Sequence, residues 1–103
     1  MSAAGGFVAV LVIDVHFPEA GSLKGKRKEL SSIKAQLQTR LHVAVSEVDH
    51  QDLWQRSTLA VAVTGGSERA VREQVDRIDR FVAERCPDGH RMETAFVSFQ
   101  EVL

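Results

Sequence analysis

Between Phe7 and Phe17 the chain runs through Val, Ala, Leu and Ile, interrupted only by Asp14 and His16 near the end. The stretch is too short and too rich in β-branched residues for a helix of comparable burial, so it reads as an interior strand. An interior strand needs partners for its N–H and C=O groups on both sides. The rest of the chain must therefore supply further strands and a layer to cover at least one face.

Pro18, Gly21 and Ser22 end this run, and Ser22 is placed to cap a helix. From Leu23 the apolar positions Leu30, Ile33, Leu37 and Leu41 recur at helical spacing. Leu41–Asp49 alternates as a second strand, and a loop carrying Asp52, Leu53 and Trp54 leads to a third, Arg56–Thr64. Gly65, Gly66 and Ser67 turn the chain into a second helix with the stripe Val71, Val75, Ile78 and Val82, closed by Pro87 and Gly89. Arg91–Val102 reads as the last strand. The order βαββαβ predicts an α+β fold, the ferredoxin-like sandwich: a four-stranded antiparallel sheet with two helices on one face. Residues 7–103 form this one domain, and Met1–Gly6, small and uncharged, reads as a disordered N-terminal tail.

Strand parity separates the two faces of the sheet. Phe7, Leu11, Ile13 and Val15, with Val43, Val45, Leu59, Val61 and Val63, fall under the helices. Val8, Val10, Val12, Ala44, Ser46, Ala60 and Ala62 fall on the other face, and no element remains to cover it. Exposed apolar surface of this kind marks an interaction site. Val8, Val10, Val12, Ala60 and Ala62 are therefore candidate contacts for a partner, most simply a second copy of this chain.

The formal net charge is -1, yet all four lysines lie between Lys24 and Lys34. On a helical wheel Lys24, Arg27, Lys28 and Lys34 share one flank, spaced by Ser31, Ala35, Gln38 and Thr39, with no acid among them. Lys26 points toward the edge of the core, where its stem can lie on apolar surface and its ammonium reach water. The second helix is balanced instead, with Glu68–Arg72 and Glu73–Arg77 at i,i+4. A cationic flank on an otherwise acidic domain suits a phosphate backbone and gives salt-dependent binding of low sequence selectivity. Lys24, Lys26, Arg27, Lys28 and Lys34, with Arg56 at the start of the third strand, are the candidate nucleic-acid contacts. The third strand has no aromatic residue for stacking bases, and Trp54 reads as an anchor of its loop.

In this topology the first two strands end at one edge of the sheet. Asp14, His16, Glu47, Asp49, His50 and Asp52 gather there with Arg56. Parity sends Asp14, His16 and Arg56 to the open face and Glu47 and Asp49 toward the helices, unless a bulge shifts the register. The spacing matches no metal motif, and no nucleophile–base pair is present. Pairing of Asp14 or Glu47 with Arg56 is the expectation, with no catalytic residue, metal or cofactor. The single cysteine, Cys86, excludes an internal disulfide and fits a reducing compartment;. The absence of an apolar run of membrane-spanning length, and of a signal-peptide pattern, points to a cytoplasmic protein.

Three segments carry a family resemblance: SLKGKR at Ser22–Arg27, VAVSEV at Val43–Val48 and DLWQRSTLAVAV at Asp52–Val63. In these the chain resembles the YlxP-like family, a bacterial domain of unknown function, with D-x-W-Q-R as the most specific part. His42 stands where such sequences often carry Asn, and Gly25 interrupts a run that is often charged. The resemblance implies a ferredoxin-like fold, a cytoplasmic location and no known reaction. Members are often encoded beside translation-initiation and ribosome-maturation factors, which implies a ribosome- or RNA-associated role. Two functions follow as expectations: a non-catalytic RNA- or ribosome-associated module using the first helix, or a protein-interaction module using the open sheet face.

Overall fold

The computed structural model describes residues 5–103. β1 (Phe7–His16) lies inside a sheet of order β2-β3-β1-β4, with β2 at Ala44–Asp49, β3 at Arg56–Gly65 and β4 at His90–Ser98. It pairs antiparallel with β3 from Phe7↔Gly65 to His16↔Arg56, and with β4 from Phe7↔Ser98 to Val15↔His90. The helices α1 (Leu23–Arg40) and α2 (Glu68–Arg85) pack on one face. This connectivity is the ferredoxin-like sandwich that the order of elements predicts.

Each helix begins at a serine whose hydroxyl satisfies an orphan backbone donor. Ser22 Oγ accepts the Gly25 N–H at 3.0 Å, and Ser67 Oγ accepts the Ala70 N–H at 3.1 Å;. The core is built from alternate β1 positions Ala9, Leu11, Ile13 and Val15 against Leu30, Ile33 and Leu37 of α1 and Val71, Val75, Ile78 and Val82 of α2. Burying each Val, Leu or Ile contributes about 1.5–3 kcal/mol, which makes this seam the main source of cohesion.

Four local features depart from the sequence reading. β2 starts at Ala44, because Leu41 still closes α1 through its N–H to the Leu37 carbonyl and His42 then turns the chain at φ +54°. The Glu73–Arg77 pair gives way to Arg69–Glu73 at 3.2 Å, while Arg77 reaches Gln74 at 3.1 Å. The last strand stops at Ser98 and a helical turn, α3 (Phe99–Val102), follows. Ser98 and Glu101 form a reciprocal capping box there, which satisfies the donors a strand would have left to the sheet;. The Phe99 N–H donates to the Gly6 carbonyl at 2.8 Å. Gly6 is buried beneath Phe99, and a Cβ on it would sit 2.6 Å from the ring. Gly6 is thus part of the ordered domain rather than of a tail, and residues 1–4 of the expected tail lie outside the described residues.

Candidate nucleic-acid interface

Lys26 is 0% exposed, so the expectation that it belongs to the cationic surface is corrected. Its place on the stripe with Leu30, Ile33 and Leu37 carries the side chain inward. There Nζ donates to the carbonyls of His50 (2.7 Å), Arg56 (3.1 Å) and Gln51 (3.2 Å). An ammonium has three N–H donors, and all are spent on backbone. Its charge is balanced by Glu47 Oε2 at 3.5 Å, which also accepts the Ser57 hydroxyl at 2.5 Å. Lys26 is a clip that ties the β2–β3 loop to the start of α1.

The other cations remain at the surface. Lys24, Arg27 and Lys28 are exposed and Lys34 is half-buried. Among the described residues no ion pair engages these four or Arg56. Glu29, the acid nearest in sequence, points away from the cationic flank to Arg85 of α2 at 3.7 Å. At about 100° per residue, this places Arg27 and Lys34 on the side of α1 turned away from α2. The first turn of α1 contains no acid. Its cations therefore sit at the positive end of the helix dipole, an arrangement that costs stability. In α2 the charges follow the dipole, with Glu68 in the first turn and Arg85 in the last.

At the same end of the sheet, a bulge between Glu47 and Asp49 inserts Val48, so Glu47 stays under the helices while Asp49 moves to the open face opposite Thr58;. Neither Asp14 nor Glu47 pairs with Arg56, contrary to expectation. Asp14 instead accepts the Thr58 hydroxyl at 2.6 Å, and His50 Nδ1 lies 2.9 Å from that hydroxyl oxygen. Thr58 has one proton and gives it to Asp14, so Nδ1 is the donor of the second bond. The hydroxyl is held between an acceptor and a donor. Among the described residues no group of three or more His, Cys, Asp or Glu side chains is placed to hold a metal ion. Cys86 is buried, and desolvation pushes its thiol above the ordinary value of 9.0, opposite to an activated nucleophile;.

The β2–β3 loop overturns the reading of Trp54 as an anchor. Its backbone is held by Lys26, by Leu53 N–H to the His50 carbonyl (3.2 Å) and by Phe17 N–H to the Gln55 carbonyl (2.8 Å). Gln55 adds a side-chain bond to the Pro18 carbonyl at 3.2 Å. With the loop fixed by polar contacts, Trp54 stays 54% and Leu53 46% exposed. They line an open cleft of about 550 Å³ with His16, Asp52, Gln55 and Arg56. Nothing in the sequence separates this outcome from an anchored tryptophan, because backbone carbonyls do the anchoring.

The five candidate partner contacts fall together on the open face. Val10 and Val12 of β1 are 45% and 39% exposed, and they stand opposite Ala62 and Ala60 of β3. Val8 continues the row half-buried. The cationic flank of α1 lies on the other side of the sheet. No helix among the described residues is long and apolar enough to cross a membrane.

Fold and surface together define a ferredoxin-like α+β domain with one cationic helix and an uncovered sheet. Residues 8–95 match the family described as "Protein of unknown function (DUF503)", and the chain belongs to that family. It is 34% identical over 64 residues to the "Uncharacterized protein YlxP" of Bacillus subtilis (strain 168), covering 62% of this chain and 70% of that protein. Among solved structures it is similar to the de novo designed protein Foldit4, with a TM-score of 0.55 and 16% identity over 89% of this chain and 96% of that one. A designed protein with a ferredoxin fold, LFR1 1, matches at a TM-score of 0.43 and 12% identity over 94% of this chain and 88% of its own.

Proposed function

We propose that this protein is a cytoplasmic, non-catalytic RNA-binding module that holds the phosphate backbone along the outer flank of α1. One observation carries the reading: Lys24, Arg27 and Lys28 are exposed, lack carboxylate partners among the described residues, and stand at the end of the helix where cations are least welcome;. A bound phosphate would reverse that penalty, since the side chains and the helix start then act on the same anion. Lys34 extends the stripe by two turns, and Arg56 lies beside the loop clipped to the first turn of α1. Lys26 takes no part, its donors being internal.

Anisotropy of a labelled RNA stem-loop, titrated across a salt series, tests the reading. Binding at low salt should weaken steeply as salt rises. The triple variant K24A/R27A/K28A should lower the magnitude of the log–log salt slope by roughly 2–3, about one per lost phosphate contact. No binding at low salt, or a triple variant that behaves like the wild type, would reject it.

A second reading rests on Val10 and Val12, large apolar side chains exposed on a central strand. The open face would then pair with a second copy of the chain. The α1 cations and these valines lie on opposite sides of the sheet and do not compete, while Arg56, cross-strand from His16, stands at the end of the open face.

A further inference from the structure

The loop between β2 and β3 is rigid at its base and apolar at its tip. Its backbone is tied to Lys26, Phe17 and its own turn, yet its one large aromatic is turned outward. A flexible loop could fold Trp54 down and hide it, but this loop is held in place by hydrogen bonds. A fixed, exposed indole is a platform with both position and orientation set in advance, which lowers the entropy lost when a flat ligand stacks on it. The cleft beneath it falls in the size range of small-ligand sites and sets the polar side chains His16, Asp52, Gln55 and Arg56 beside the apolar surface of Leu53 and Trp54;. Arg56, whose guanidinium has no ion pair among the described residues, lines the same cleft as Trp54, and the Lys26 clip ties the backbone of this loop to the first turn of α1.

From this juxtaposition we infer that Trp54 and Arg56 form a subsite for one unstacked nucleobase of single-stranded RNA, with the base on the indole and its phosphate on the guanidinium. The subsite rests on the RNA-binding reading of α1 and deepens it. Helix cations hold backbone of any sequence, and the loop adds a requirement for an unpaired nucleotide. Single-stranded RNA is recognised by this combination of aromatic stacking and cationic backbone contact. A protein partner would also favour an exposed Trp and Leu, but the Arg56 guanidinium in the same cleft and the exposed cations of α1 favour RNA.

Trp54 is the only tryptophan of the chain, so its fluorescence reports on the subsite alone. The experiment titrates the protein with two RNAs of equal length, a stem-loop with an unpaired loop and a blunt duplex, following both Trp54 emission and RNA anisotropy. The expected result is quenching by the stem-loop and not by the duplex. Trp54→Ala should weaken stem-loop binding roughly tenfold and leave duplex binding unchanged, while Trp54→Phe, which keeps a stacking face, should recover most of the loss. RNA binding by anisotropy with no quenching, and with Trp54→Ala equal to wild type, would overturn the subsite and leave the helix reading intact. Absence of binding to either RNA would reject both. A change in Trp54 emission with protein concentration alone, in step with dimer formation, would assign the loop to a contact between copies and overturn the subsite.

Discussion

Lys26 is the residue on which the local architecture turns. Removing its side chain leaves the His50, Gln51 and Arg56 carbonyls without their donor and Glu47 without its counter-charge. Breaking a buried pair by deleting one partner costs several kcal/mol, because the remaining charge has no compensation. Lys26→Ala should therefore lower the unfolding free energy by about 3 kcal/mol, read as a drop in the urea midpoint at unchanged slope. Lys24→Ala, at an exposed position with no ion-pair partner among the described residues, should stay within about 0.5 kcal/mol of wild type;. Equal midpoints for the two variants would contradict the clip. The inward direction of Lys26 was legible, since it continues the stripe of Leu30, Ile33 and Leu37. Its acceptors were not, because a backbone carbonyl carries no signature in the residue that bears it.

At the scale of elements, the ends carry more information than the middles. Leu41 closes α1, so His42 occupies the position after the cap in the left-handed region, φ +54°. Asn and Gly tolerate that conformation better than other residues. His42→Asn should raise stability by about 0.5 kcal/mol in thermal or urea unfolding; a loss would mean that the His42 side chain makes a contribution the backbone argument omits. The four strands and two long helices were legible because apolar period and punctuation agreed along the chain. The capping box at Ser98 and Glu101 was also written in the sequence, but the alternation through Phe96 and Ser98 hides it. The Val48 bulge was half legible. The apolar positions change phase between Val45 and Val48, but only pairing with β3 reveals that Asp49 has changed faces.

For the whole molecule, the separation of the sheet faces follows directly from strand parity, and the structure reproduces it residue by residue in β1. The exposure of Trp54 does not follow, because it depends on three chain segments meeting at the loop. The open face also sets an expectation for the molecule as a unit. If copies pair through Val10 and Val12, light scattering at micromolar concentration should report a dimer, and the double variant V10E/V12E should be monomeric with an unchanged fold. A monomeric wild type would remove self-pairing through this face. The placement of Lys24, Arg27 and Lys28 behind the sheet has a consequence for such a pair. Two copies joined sheet to sheet would carry their charged stripes outward on opposite sides, making the assembly bivalent. It would then grip one long polyanion at two points or bridge two separate ones, with avidity far above that of a single stripe.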